Sequence, residues 1–298
     1  MLQTTTAMYE KARREDYAIG GFIAYNMEMM QALVRAANRS RSPLLLQSSA
    51  QAADYAGFAY LAALARVVAQ EAEIPVAHHL DHGYSVDVCK QAVDHGFTSV
   101  MFDGSALPFE ENVRLTRAVV DYAHDKGAVV EGELGSPEND GFFTDPDQVV
   151  EFVDRTGVDS LAVAIGNSHG QMKSGKPPII DFDLLERIQA VVPQMPLVLH
   201  ALTTITPATV EAFRRSGGEM KPASVVSEEV FRRAARSKGI AKLNIGASLK
   251  IAMVTAIREH CNENPANFDP RKPLALARQR LEDLIVELLN RCGSAGRA

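Results

Sequence analysis

Eight short apolar segments, each followed by a stretch of helical periodicity, recur along this chain of 298 residues. They read AIGGFIAY (18–25), PLLLQSS (43–49), PVAHHLD (75–81), SVMFDG (99–104), AVVEGELG (128–135), SLAVAIGN (160–167), PLVLHA (196–201) and IAKLNIG (240–246). Between them lie segments such as MEMMQALVRAANRS and FEENVRLTRAVVDYAHDKG, with apolar residues at i, i+3, i+4 and i+7. Strands apolar on both faces and separated by helices need parallel crossovers, and eight such units close into an α/β fold, the (β/α)8 or TIM barrel. The rival, a doubly wound open sheet, would usually carry a GxGxxG turn after its first strand, and the sequence has none. Asp145-Pro146 reads as a helix N-cap followed by proline, and Gly127 and Gly157 stand where helix C-caps belong. After the eighth strand come two further helical stretches, about 247–263 and 273–292. The second exceeds the needs of a barrel and predicts a C-terminal helical arm over about 265–298, placed to pack on a partner subunit. No linker or low-complexity tract interrupts the chain, so residues 1–298 read as one domain.

Charge narrows the partners. A formal net charge of −6 argues against nucleic acid or an anionic membrane as the main partner, since either calls for a basic face. Cys89, Cys261 and Cys292 are too few and too scattered for a disulfide framework. No signal-like segment opens the sequence and no apolar run is long enough to span a bilayer, which leads us to expect a cytoplasmic protein.

In a parallel barrel the active site lies at the C-terminal strand ends. There the sequence places His78, His79, Asp81 and His82 on the third strand, Asp103 on the fourth, and Glu131 and Glu133 on the fifth. Asn167, Ser168, His169 and Gly170 follow the sixth, His200 ends the seventh and Asn244 the eighth. His82, His169 and His200 come from three strands, too far apart in sequence for a finger-like site. They suit a tertiary site in which three imidazoles hold Zn2+ and leave a position open for substrate.

The stretch from PVAHHLDHG through MFDGS and VEGELG, with AIGNSHG and PLVLH downstream, resembles the class II zinc-dependent ketose-bisphosphate aldolases along nearly the whole chain. The resemblance implies a TIM barrel, a homodimer or higher homo-oligomer, and reversible aldol cleavage of a ketose bisphosphate. The reaction would pass through a zinc-held enediolate of dihydroxyacetone phosphate or a related donor, with a small ketose or aldehyde as substrate. It implies His82, His169 and His200 as zinc ligands and Asp81 as the base that takes the donor's hydroxymethyl proton. Glu133 and Asp103 fall near the metal, where a second or monovalent cation position occurs. Asn26, Ser49, Gly170 and Asn244 fall in the substrate site. Each carboxylate also has a plainer reading: Asp81 as an orienter of a ligand imidazole, Glu133 as a buried ion-pair partner, Asp103 as structural. His79 is expected to hydrogen-bond within the site and His78 to be a rim substituent.

The departures fall on substrate handling. After His200 the sequence reads HALTTIT, with bulkier residues where the family has a glycine-rich phosphate loop. After the eighth strand NIGAS lacks the family's threonine, leaving Ser248 and the following helix N-terminus for the anion. The segment 207–239 is longer than usual and reads as two helices. The loop after Glu133 is short, and Glu138 is its candidate for protonating the acceptor oxygen. These departures leave two alternatives open, an aldolase for a different or unphosphorylated donor and a non-catalytic homologue that binds metal or sugar phosphate.

Overall fold

The computed structural model describes residues 1–135, 143–167, 179–200, 202, 205–220 and 225–298. The elements begin with α1 (Thr6–Arg14), β1 (Ile19–Ile23), α2 (Met27–Ser40), β2 (Leu44–Ser49), α3 (Ala50–Ala56) and α4 (Phe58–Glu71). Then follow β3 (Val76–Gly83), α5 (Val86–Asp94), β4 (Ser99–Phe102), α6 (Phe109–Asp125), β5 (Val129–Leu134), α7 (Pro146–Thr156) and β6 (Ser160–Val163). The last are α8 (Phe182–Val191), β7 (Leu197–Leu199), α9 (Pro207–Arg215), α10 (Glu228–Ala235), β8 (Ile240–Ile245), α11 (Ala247–Glu263) and α12 (Arg271–Cys292). The eight strands are all parallel and close in sequence order, β8 pairing with β1. This is the (β/α)8 barrel that the strand count predicts.

Local chemistry sets the helix ends. Asn26, Ser49, Ser85, Asp145, Asp181, Thr206 and Ser227 each accept a backbone N–H at a helix start, and prolines occupy the first helical position of α7 and α9. Gly157 closes α7 in the left-handed conformation, at φ +71°. The segment between β7 and β8 contains the two helices expected of it, α9 and α10.

The main core lies between the barrel's outer face and the helical ring, where Phe22, Leu46, Leu80, Val100, Phe102 and Val130 meet the apolar faces of the helices. The lower end of the barrel is plugged by α1, whose Met8, Tyr9 and Ala12 pack on Ile19, Leu45, Ala77 and Ala241. The C-terminal helix is present, and its apolar face is used within its own chain. Ala277, Leu281, Ile285 and Leu288 are buried in the main core, Arg39 of α2 pairs with Glu282 and Asp283, and Arg291 pairs with Glu228 of α10. Among the described residues no single helix is long and apolar enough to cross a membrane.

Candidate active site

Successive strand residues point to opposite faces, so Ala77, His79 and Asp81 look into the barrel while His78 and Leu80 look outward. His78 is therefore no rim substituent. It is fully buried, stacks on Phe97 with ring centroids 3.7 Å apart, and meets Ser48 Oγ at 3.1 Å. Burial drives its pKa down to about 3, so the ring is neutral. By the same alternation Asp81 and His82 would face apart. They share the site because β3 is irregular at its end. Its pairing with β4 shifts register between Leu80 and Gly83, and His82 takes a left-handed φ of +50°. That conformation costs a non-glycine residue about 1–2 kcal/mol, and here it turns the imidazole over the barrel mouth.

His82 and His200 then face each other, Nε2 to Nδ1, at 3.0 Å. The far nitrogen of each ring is held by a carboxylate. His82 Nδ1 stands 2.8 Å from Asp103 Oδ2, and His200 Nε2 stands 2.9 Å from Glu131 Oε1. Asp103 is itself braced by the backbone N–H and hydroxyl of Ser105, at 3.2 and 2.7 Å. When each outer nitrogen donates its proton to a carboxylate, the inner nitrogens present lone pairs to one another, an arrangement that needs a proton or a cation between them.

In the metal-free protein that cation is a proton. Burial disfavours a charged His82, but the negative charge of Asp81 and the hydrogen bond to Asp103 outweigh it and hold the pKa up at about 10. Burial likewise disfavours ionised Asp103, yet its hydrogen bonds to His82 and Ser105 keep it well below the usual carboxylate range. Burial and the adjacent Asp103 charge raise Glu133 well above that range. Among the described residues its Oε2 is buried without a hydrogen-bond partner, 3.9 Å from His82 Nδ1. Among the described residues two sets, Asp81–His82–His200 and His82–Asp103–Glu133, each bring ligand atoms within 4.8 Å of one another. Converging imidazoles with carboxylate-held outer nitrogens and an unpartnered carboxylate oxygen fit a divalent cation of the Zn2+ type.

Asp81 is 6 % exposed, and two amides fix it. Its Oδ1 accepts from Gln47 Nε2 at 3.0 Å and from Asn244 Nδ2 at 2.9 Å. Asn244 also reaches His200 Nδ1 at 3.1 Å, which ties the carboxylate to the imidazole pair. Gln47 was not among the residues singled out from sequence, although strand alternation was the signal for it. It lies on the inward face of β2, two residues before Ser49, whose register partner is Asp81. Space for it comes from Gly21, where a Cβ would stand 2.0 Å from Gln47 Oε1.

The remaining residues divide. Ser49 Oγ caps α3 by accepting from Ala52 N at 3.1 Å, and Asn26 caps α2 by accepting from Met29 N at 3.0 Å. Ser248 is buried in the first turn of α11. Asn167 braces the seventh strand, donating to His200 O at 3.0 Å. His79 sits a layer below the mouth, bonded to Ser99 and Lys242. Glu138, His169 and Gly170 lie outside the described residues, as do Ser168, Thr203 and Thr204.

Residues 3–297 match the family model described as fructose-bisphosphate aldolase class-II. Among similar proteins, a fructose-bisphosphate aldolase of Thermus caldophilus is 43% identical over 308 residues, covering 100% of both chains. One of Treponema pallidum is 39% identical, covering 100% of this chain and 98% of its own. Among solved structures, the YdjI aldolase from Escherichia coli K12 superposes with a TM-score of 0.83 at 34% identity, covering 100% of both chains.

Proposed function

The chain belongs to the class II fructose-bisphosphate aldolase family, whose members are lyases, and from that premise we propose a zinc-dependent aldolase that cleaves a ketose phosphate through an enediolate of its donor half. The observation that carries the reading is Asp81, pinned by Gln47 and Asn244 beside the facing His82 and His200 rings. With Oδ1 saturated by two amide donors, the other carboxylate oxygen is the one with capacity for a proton. Asp81 takes the proton from the donor's hydroxymethyl carbon. The rigid amide pair keeps the carboxylate aimed, so reorganisation during transfer is small. His82 Nε2 and His200 Nδ1, with His169, would hold Zn2+, while Asp103 and Glu131 on the opposite nitrogens of the two rings fix ring orientation. When bound, Zn2+ supplies Lewis-acid polarisation of the donor's oxygens. Glu133 and Asp103 offer a second cation position. Asn244 bonds the donor between Asp81 and His200, while Asn26, Ser49, Gly170 and Ser248 line the substrate cleft. Glu138 protonates the acceptor oxygen.

Proton exchange in D2O tests this. Dihydroxyacetone phosphate should lose its hydroxymethyl proton to solvent, and chelator or Asp81→Ala should abolish the exchange. Exchange that survives both removes Asp81 and the metal from the reaction. The bulkier HALTTIT in place of a glycine loop favours a second reading, a different or unphosphorylated donor. Exchange of free dihydroxyacetone alone would select it, and no exchange of either would select a binding role.

A further inference from the structure

Beneath Asp81, His82 and His200 the barrel interior holds a buried ion pair, Lys242 and Glu131, of which the reading above leaves Lys242 without a task. Lys242 and Glu131 are both at 0 % exposure, with Nζ and Oε2 2.7 Å apart. Lys242 also donates to His79 Nε2 at 3.2 Å. An ammonium can only donate, so that nitrogen accepts, and the His79 proton lies on Nδ1, 2.8 Å from Ser99 Oγ. The other oxygen of Glu131 holds His200 Nε2 at 2.9 Å. One chain of contacts therefore runs Ser99–His79–Lys242–Glu131–His200, from mid-barrel to the site. Fold stability does not account for it. A buried ion pair gives little net stability over apolar residues of the same volume, and such residues are the usual filling of a barrel.

We propose that Lys242 is a positioning residue for the candidate metal centre: it fixes the carboxylate of Glu131, which fixes the His200 ring with Nδ1 toward the cation. The proposal rests on the assignment of His82 and His200 as ligands. Among the described residues Lys242 is bonded to His79 and paired with Glu131, and the route from it to His200 in these contacts runs through Glu131. With Lys242 removed, Glu131 would be a buried carboxylate lacking its counter-charge, and the acceptor that orients His200 would lose its own anchor.

The test titrates metal-free wild type, Lys242→Met, Glu131→Gln and the double variant with Zn2+ against a competing chelator, and records the metal-free Tm of each. Lys242→Met should weaken Zn2+ binding about 10–100-fold, Glu131→Gln comparably, and the double variant no further than Glu131→Gln alone. A merely structural lysine would lower the Tm and leave Zn2+ affinity within about twofold of wild type, which overturns the proposal. Should Lys242→Met fail to fold, Lys242→Gln takes its place in the same comparison, with the same expected loss and the same overturning result, and the double variant checks the route. A further loss beyond about threefold relative to Glu131→Gln means that Lys242 does not act through Glu131. If wild type itself binds no Zn2+, the ligand assignment fails, and that failure is separate.

Discussion

Replacing Gly21 by alanine adds one carbon to the barrel interior and strikes the group that aims Asp81. The backbone there is ordinary strand, so only space is at issue. A Cβ would stand 2.0 Å from Gln47 Oε1, 2.7 Å from its Cδ and 3.3 Å from Asn244 Oδ1. Gln47 is fully buried, so either the barrel strains or the amide swings off Asp81. Overpacking a tight core costs about 1–3 kcal/mol, and losing a hydrogen bond to a buried carboxylate about 1.5–3 kcal/mol. Because the two outcomes compete, the cheaper one sets the net cost at about 1–3 kcal/mol, or a Tm lower by roughly 2–12 °C at about 2–4 °C per kcal/mol. Hydroxymethyl proton exchange should fall on the order of tenfold to a hundredfold as the carboxylate loses its aim, while Zn2+ content stays at the wild-type level. Calorimetry, D2O exchange and metal analysis on one preparation read all three. A Gly21→Ala protein with unchanged Tm and exchange rate would refute the claim that Gly21 exists to seat Gln47.

Other expectations follow from the same geometry. His82→Ala or His200→Ala should lose stoichiometric Zn2+ while keeping the barrel's circular dichroism; either variant holding a full equivalent removes that histidine from the ligand set. Stripping Zn2+ from protein equilibrated at about one hundred times its dissociation constant should cost about 2.7 kcal/mol, some 5–10 °C in Tm. An unchanged Tm would mean that the folded state binds no metal preferentially. In the metal-free protein His82 titrates at about 10, above its ordinary 6.5, so folding holds that proton more tightly. The stabilisation is complete below about pH 6.5 and fades as pH rises toward about 10. The metal-free Tm should therefore decline across that window, less so in His82→Asn, and a level wild-type profile would contradict the assignment.

The eight-unit alternation made the barrel legible, because strands buried on both faces and separated by amphipathic helices have few other ways to close. The strand ends were legible too, since the barrel's chemistry gathers at one rim. What alternation conceals is its own failure. Nothing in HHLDHG announces that His82 abandons the strand conformation, so the joint presentation of Asp81 and His82 appears only in three dimensions. The opposite error befell His78, grouped with the rim residues although its parity sends it outward against Phe97. Gln47, Glu131 and Lys242 sit inside short apolar strands where period-2 counting puts them on the inner face. Reading Gln47 and Lys242 as neighbours of the candidate site required knowing that the interior of this barrel is polar at mid-height. The C-terminal helix was visible as a helix, but its burial against α2, α10 and the main core depends on which faces meet, and sequence periodicity does not say.

The left-handed turn at His82 makes the Asp81 carboxylate and the neighbouring imidazole a single mechanical unit. Insertion or deletion of one residue between Leu80 and Gly83 would alter the break that brings both to the barrel mouth, so selection can tune neither independently by sliding the strand. Grafting this site onto another eight-stranded scaffold would likewise require transplanting the break in the ladder along with the side chains. Copying Asp81 and His82 onto a regular strand would deliver one of them to the substrate and bury the other against a helix.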